Sequence, residues 1–167
     1  LYWNGDGANL PCKMFVQYLR ELCVENRFAG EGIEICGETL KISDVKVPVY
    51  SITCETDHIA RWKSCYDGFT RLGSRSKTFV LSESGHVAGV VNPPSRKKYG
   101  HYLNAKKAAT ADEWLEGATF NEGSWWVDWQ NWLSKRSGKA VPARAPGSQD
   151  YKPLVAAPGT YVLKRAD

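Results

Sequence analysis

The sequence contains no run of about 20 consecutive apolar residues, the length that an α-helix needs to cross a bilayer. It also lacks a recognisable secretory signal at its start, a basic arm and a glycine-rich loop that could cradle phosphate groups. These absences argue against a membrane span and give no sign of nucleic-acid binding. Because the chain begins at Leu1 rather than methionine, we expect it to be a piece of a longer protein.

The cysteines stand singly, and no two of them form a CxxC pair: Cys12, Cys23, Cys36, Cys54 and Cys65. Their odd number argues against a disulfide framework, and their spacing argues against a zinc site. The pattern indicates reduced thiols in a cytoplasmic protein and predicts no metal. Most of these side chains are expected to be small, buried and apolar.

The chain does contain enough apolar residues for one domain with its own core. Of its 167 residues, 43% are hydrophobic and 24% are charged, as is typical of a soluble globular protein. The formal net charge is +4. This mild excess of positive charge permits an anionic substrate or surface, but it does not require nucleic acid.

Helical periodicity predicts a helix over residues 9–28 and another over 123–138. The first has Asn9 at the capping position and one apolar stripe, made of Met14, Phe15, Tyr18, Leu19, Leu22 and Cys23. The second places four apolar residues on one face: Trp125, Trp129, Trp132 and Leu133. A tryptophan cluster could form a ligand cage, but core packing is the favoured interpretation of a stripe at this spacing.

Three segments are predicted to form β-structure. Residues 33–42 alternate around Cys36 and Gly37 and predict a short hairpin. Residues 47–54 and 77–82 are β-prone runs that suit buried strands, and a helix is predicted between them over 59–72. This strand–helix–strand order predicts a parallel pair joined by a right-handed crossover, and therefore an α/β fold.

Parallel sheets carry functional residues in the loops beyond the carboxyl ends of their strands. Asp57 follows the first predicted strand and His86 follows the second. Neighbouring parallel strands would bring these loops together, so that Asp57 could accept the Nδ1 proton of His86. Both residues also have ordinary structural interpretations, with Asp57 capping a helix and His86 hydrogen-bonded within its loop.

The segment ITCETDHIARW holds Cys54, Asp57 and His58, the three residue types of a thiol-dependent triad. Side chains alternate along a strand, so Cys54 and Asp57 are not expected to face each other. His58 is adjacent to Asp57, and adjacent side chains usually diverge. An acid followed by a histidine is the order of an α/β-hydrolase triad, whose nucleophile comes first on an elbow such as G-x-S-x-G. No such elbow occurs in residues 1–167.

Several longer segments carry a resemblance to a known family: LYWNGDGANLP, ICGETL, ETDHIARW, SGHVAGVVNPP, EWLEGATFNEGSWWVDWQNWL and APGTYV. Together they resemble the polyhydroxyalkanoate synthases, specifically class I, over essentially the whole chain. The resemblance implies that the chain is the C-terminal part of the catalytic domain. It implies an α/β-hydrolase fold with the end of a cap or lid at 1–30, the C-terminal part of the core at 31–138, and an extended tail at 139–167.

The resemblance also implies an acyltransferase that polymerises (R)-3-hydroxyacyl-CoA into polyester and releases CoA, with no cofactor besides the CoA of the substrate. Its Cys–Asp–His triad would use Asp57 and His86, and the nucleophilic cysteine would lie upstream of this chain. His58 would lie near the CoA or the dimer surface. The implied partners are the growing polyester, the upstream part of the same protein and a second copy in a homodimer. The implied location is the cytoplasm and the surface of polyester granules.

Arg96, Lys97 and Lys98 could attract the CoA phosphates, although a solvated basic loop is the favoured interpretation. Two other functions stay open at this point. One is a different α/β-hydrolase, such as an esterase or depolymerase with a serine elbow upstream. The other is a non-catalytic module associated with granules. As a piece of a synthase, this chain alone is predicted to be inactive.

Overall fold

The computed structural model describes residues 7–160 and 163–164. The described residues fall into two compact units, one of residues 17–137 and one of residues 7–16 with those from 138 onward. Asp57, His86 and the strands that precede them lie in the first unit. The predicted division into cap, core and tail stays a prediction.

A two-stranded hairpin opens the β-structure, as predicted. Strand β1 (Ile33–Ile35) pairs antiparallel with β2 (Glu38–Leu40). The two residues between them, Cys36 and Gly37, have φ of 53° and 84°. Positive φ at both central positions is the geometry of the tight turns that match the twist of a hairpin.

The main sheet has four strands in the order β3-β4-β5-β6. Strand β3 (Val49–Cys54) runs parallel to β4 (Lys77–Ser82), with helix α2 (Trp62–Arg71) between them in the chain. The predicted parallel pair and its intervening helix are therefore confirmed. Two short strands that the sequence pattern did not predict, β5 (His101–Leu103) and β6 (Thr119–Asn121), extend the sheet antiparallel. The chain is thus an α/β protein with a mixed sheet.

The core lies between this sheet and the helices α2 and α3 (Ala111–Glu116). Phe79 on β4 is 2% exposed and meets Tyr66 of α2 and Trp114 of α3 edge to face, with ring centroids 5.0 Å apart in both pairs. Edge-to-face contacts add stability beyond the apolar area that they bury. This aromatic cluster holds the crossover helix and the sheet together, and so fixes where the loops after β3 and β4 begin.

The first helix is shorter than predicted and is not buried. Helix α1 (Cys12–Gln17) is followed by a π-helical stretch, Tyr18–Val24, instead of continuing to residue 28. No residue of either part is buried, and Met14 and Tyr18 are each about half exposed. The predicted apolar stripe therefore has no core partner within the described residues.

The tryptophan-rich helix α4 spans Trp126–Ser134 and is shorter than the predicted 123–138. Ser124 lies just before it, and its Oγ accepts a hydrogen bond from the Trp126 amide at 3.1 Å. Core packing holds for Trp125, which is 6% exposed, but Trp129 is exposed. Residues 139–160 form neither helix nor strand. No helix among the described residues is long and apolar enough to cross a membrane.

Candidate active site

Asp57 lies in the turn that follows β3, and each of its carboxylate oxygens has its own partners. Oδ1 accepts hydrogen bonds from the amides of Ile59 and Ala60, both at 2.9 Å. Oδ2 lies 2.7 Å from Nδ1 of His86. The Asp57 side chain is only 7% exposed. The carboxylate therefore organises the turn before α2 with one oxygen and is free to bind the histidine with the other.

His86 lies in the loop after β4, residues 83–92, which we call the histidine loop. Ser84 takes a left-handed φ of 73° and turns the chain away from the strand. Two helical hydrogen bonds then follow, from the Gly89 amide to the Gly85 carbonyl at 2.9 Å and from the Val91 amide to the Val87 carbonyl at 2.8 Å. The His86 side chain projects from this helical turn and is 48% exposed.

The parallel register of β3 and β4 brings the two loops together. Cys54 and Ser82 are paired at the carboxyl ends of the strands, and the Thr56 amide then donates to the Ser84 carbonyl at 3.1 Å. Both loops therefore leave the same edge of the sheet side by side. The strand order predicted this placement, and the structure does bring Asp57 and His86 into hydrogen-bond contact.

Asp57 is held in its ionised form. The hydrogen bond to His86 is the largest influence, and with the backbone amides of Ala60 and Ile59 it outweighs the opposing effect of burial, lowering the pKa of the carboxyl to about 2. An ionised carboxylate can only accept, so at neutral pH His86 donates its Nδ1 proton to Asp57. In the neutral imidazole, Nε2 then carries the free lone pair. Nε2 has no hydrogen-bond partner among the described residues, so a group from outside this chain could reach it.

Cys54 is not part of this pair. It is 1% exposed, and burial, helped by the charges of Asp57 and Cys65, raises the pKa of its thiol to about 11. Thiolate is the reactive form of cysteine, so a thiol of this kind is inert near neutral pH. Its interpretation as a buried strand residue is confirmed. The wider expectation that most cysteines are buried is wrong, because these three are exposed: Cys12, Cys23 and Cys36. Cys12 begins helix α1, Cys23 lies in the π-helical stretch, and Cys36 lies in the hairpin turn. These segments bury little surface.

His58 and the basic segment of Arg96, Lys97 and Lys98 are exposed. His58 follows Asp57 directly and has no hydrogen bond or ion pair among the described residues. Arg96, Lys97 and Lys98 are exposed and likewise form no ion pair within the described part of the chain. The buried Asn92 pins this segment by donating from Nδ2 to the carbonyls of Lys98 and Tyr99, at 2.9 and 3.0 Å. Any role of these residues toward a substrate stays a prediction.

Several contacts that support the histidine loop were not found by sequence reasoning. Ser82 Oγ and Trp125 Nε1 both donate to the Gly89 carbonyl, at 3.2 and 3.0 Å. Trp126 Nε1 donates to the Val90 carbonyl at 2.9 Å. The tryptophans stand 36 residues beyond their acceptors, and no local pattern links the two segments. The sequence shows the adjacent pair of tryptophans, but it gives no sign that their acceptors are the carbonyls of Gly89 and Val90.

The described residues offer no cluster of three or more histidine, cysteine, aspartate or glutamate side chains that could hold a metal ion. The geometry of the Asp57–His86 pair is that of an oriented imidazole. Asp57 fixes the tautomer, and His86 presents Nε2 as a proton acceptor. Such a pair can activate a nucleophile, but no nucleophilic side chain among the described residues forms a hydrogen bond with Nε2.

No family model matches the chain. Curated proteins do match it along almost its whole length. It is 39% identical over 166 residues to the poly(3-hydroxyalkanoate) polymerase subunit PhaC of Rhizobium meliloti, which covers 99% of this chain and 27% of that protein. The polymerase subunit PhaC of Cupriavidus necator is 37% identical over 169 residues, covering 99% of this chain and 28% of the relative.

Poly(3-hydroxyalkanoate) polymerase 2 of Ectopseudomonas oleovorans is 36% identical over 169 residues, covering 99% of this chain and 30% of the relative. The chain thus spans less than a third of the length of these relatives, and it matches their C-terminal part. The chain therefore belongs to the poly(3-hydroxyalkanoate) polymerase family and corresponds to the C-terminal part of its members.

Proposed function

We propose that this chain supplies the acid and the base of a Cys–Asp–His triad in a polyhydroxyalkanoate synthase with an α/β-hydrolase core. The full protein would polymerise (R)-3-hydroxyacyl-CoA into polyester and release CoA. Asp57 would be the orienting acid and His86 the general base. The nucleophilic cysteine and the donors of the oxyanion hole would lie in the part of the protein that precedes this chain.

The observation that carries the proposal is the 2.7 Å hydrogen bond between His86 Nδ1 and Asp57 Oδ2 at the carboxyl edge of a parallel strand pair. It joins an ionised carboxylate to a half-exposed imidazole whose Nε2 has no hydrogen-bond partner among the described residues. The names of the relatives indicate the substrate class. The order of triad residues along the chain indicates where the nucleophile lies. In α/β-hydrolases the nucleophile precedes the acid and the histidine.

The proposed reaction has two half-steps. His86 Nε2 takes the proton of the upstream thiol, and the resulting thiolate attacks the thioester carbonyl carbon of the hydroxyacyl-CoA. The carbon–sulfur bond to CoA breaks, and CoA leaves as a thiol with the proton from His86. The 3-hydroxyl oxygen of a second monomer or of the growing chain then attacks the carbonyl carbon of the enzyme thioester, while His86 Nε2 takes the hydroxyl proton. An ester bond forms, the carbon–sulfur bond to the enzyme breaks, and the enzyme sulfur regains its proton from the imidazolium. Asp57 would stabilise the imidazolium in both steps and could also help to activate the 3-hydroxyl.

The other expected partners belong to the same proposal. His58 would lie near the CoA or a dimer surface, and the exposed Arg96, Lys97 and Lys98 carry charge of the sign that CoA phosphates require. The proposal also includes a homodimer of the full protein that works in the cytoplasm at the surface of polyester granules, as the sequence resemblance implies.

The direct test measures acylation of the full-length protein with a radiolabelled hydroxyacyl-CoA, together with CoA release. His86→Gln and Asp57→Asn should lower the rate of both by at least roughly 10³-fold, as loss of a triad histidine or aspartate does in other enzymes. His58→Gln is the matched control, since it removes a second exposed histidine one residue from Asp57. It should keep a normal rate of acylation.

A His86→Gln protein that becomes acylated at the normal rate would show that His86 is not the base. A serine rather than a cysteine in the upstream nucleophile elbow, with release of free hydroxyacid, would instead assign the protein to the esterases or depolymerases. Residues 1–167 alone should neither bind an acyl group covalently nor polymerise the substrate, because the nucleophile is missing. Turnover by this polypeptide alone would refute the proposal.

A further inference from the structure

Two adjacent tryptophans at the start of α4 donate to two adjacent carbonyls of the histidine loop. Nε1 of Trp125 lies 3.0 Å from the Gly89 carbonyl oxygen, and Nε1 of Trp126 lies 2.9 Å from that of Val90. These acceptors come three and four residues after His86. No other indole of the described residues donates a hydrogen bond to this loop.

The carbonyls of Gly89 and Val90 belong to the same helical turn region as His86. The amide of Gly89 closes a helical turn onto the Gly85 carbonyl at 2.9 Å, and His86 lies inside that turn. Because this hydrogen bond joins the two ends of the turn, a displacement of Gly89 shifts the backbone on both sides of His86. A change of a few tenths of an ångström there would be carried to the imidazole.

The tryptophans are themselves held to the strand that leads to Asp57. The ring of Trp125 is 6% exposed and stacks on Tyr50 of β3, with centroids 6.2 Å apart. Tyr50 also donates from its hydroxyl to Asp128 of α4 at 2.8 Å. The start of α4 is therefore fixed to β3, and its two indole N–H groups reach from there to the loop that carries His86.

We propose that Trp125 and Trp126 are positioning residues that set His86 against Asp57 through the carbonyls of Gly89 and Val90. Neither indole donates its hydrogen bond to Asp57 or His86. This inference rests on the proposed function, because it concerns the same Asp57–His86 pair. It adds that the geometry of the pair is set from a helix about 40 residues further along the chain, rather than by the loop alone.

The test uses the full-length protein with Trp125→Phe, Trp126→Phe and the double variant. Phenylalanine keeps an aromatic ring but removes the donor. Misplacement of a catalytic group by about 1 Å can cost roughly 100-fold in rate. Each single variant should therefore lower kcat about tenfold and the double variant about 30- to 100-fold, with KM changed by less than about twofold. Trp129→Phe is the control, because Trp129 is exposed and its indole donates no hydrogen bond to the loop. Its ring packs on Trp125 with centroids 5.7 Å apart, and phenylalanine keeps an aromatic ring at that contact.

A second measurement reports the pair without relying on turnover. The Nδ1 proton in the short bond between His86 and Asp57 should give a low-field proton resonance, assigned by its loss in His86→Gln. That signal should shift upfield or broaden in the double tryptophan variant and stay unchanged in Trp129→Phe. A merely structural role for the tryptophans would lower stability and leave this resonance in place.

Equal kcat and an unchanged resonance in the double variant and in Trp129→Phe would overturn the inference. A rise in KM at constant kcat would also overturn it, since that result indicates substrate binding. If the double variant does not fold, Trp126→Phe alone decides, because its ring is only partly buried. His86→Gln measured in parallel separates the two proposals. Normal activity in that variant would refute the proposed function, whereas inactivity beside normal tryptophan variants would refute only the positioning role.

Discussion

Substitution of Gly89 by alanine should disturb the histidine loop more than its single added methyl group suggests. A Cβ atom at this position would lie 2.6 Å from Cys54 Sγ, 2.7 Å from the Glu83 carbonyl oxygen and 3.1 Å from the Gly85 carbonyl oxygen. Carbon atoms in packed interiors prefer contacts of about 3.5–4.0 Å, so the loop or its neighbours must move by about 1 Å. Cys54 is buried and the oxygens belong to the backbone, so none of them can turn aside.

Overpacking of this kind typically costs about 1–3 kcal/mol of stability, and a 1 Å shift at His86 could cost roughly 100-fold in kcat. The free energy can be measured by urea unfolding of the full-length protein and the rate by CoA release. Gly85→Ala is the matched control on the other side of His86. Its Cβ would meet only Thr56, at 3.6 Å or more, which is ordinary contact. We expect it to change stability by less than about 0.5 kcal/mol.

The reasoning would be refuted by a Gly89→Ala protein as stable and as active as Gly85→Ala. Such a result would mean that the histidine loop can shift without cost, and that its close approach to β3 does not fix His86. Loss of stability with normal kcat would show that the close packing of Gly89 stabilises the fold and does not set the catalytic geometry.

Two further predictions concern the lowered pKa of Asp57 and the raised pKa of Cys54. Because the pKa of Asp57 falls to about 2 in the folded protein, its carboxylate contributes stability above its ordinary pKa of about 3.9 and loses that contribution as pH falls through about 2. Unfolding curves of the wild type and of Asp57→Asn should therefore differ at pH 5–7 and converge toward pH 2, and parallel curves would contradict this. Because the pKa of Cys54 is about 11, its thiol should react with iodoacetamide at pH 8 at least roughly 100-fold more slowly than exposed Cys36, as followed by peptide mass spectrometry. Comparable labelling of the two would show that β3 opens readily.

Much of the site could be predicted because it depends on local patterns and on one topological rule. The apolar runs ending at Cys54 and Ser82 are long enough to define strands, and the helix between them requires a parallel pair. Once those strands are neighbours, the residues just beyond their ends must meet. The positions of Asp57 and His86 followed from this alone, before any side-chain contact was known.

Other features depended on contacts between distant segments. Strands β5 and β6 have three residues each, too few for a recognisable alternation, and they exist because β4 has an open edge to pair with. The apolar stripe of the first helix predicted burial, but burial needs a partner surface. The same limit applies to the cysteines, whose exposure follows from where their segments lie.

What the sequence by itself determined is the parallel pair β3–β4 with its intervening helix, the hairpin turn at Cys36–Gly37, and the acid and histidine at the carboxyl edge of that pair. What only the tertiary structure decided is how firmly that pair is held. The 2.7 Å bond to His86, the two amides that bind Asp57 and the indoles that bind the loop are directional contacts. Hydrogen bonds act over about 3 Å, so they exist only after packing has brought residues as far apart as Gly89 and Trp125 into contact.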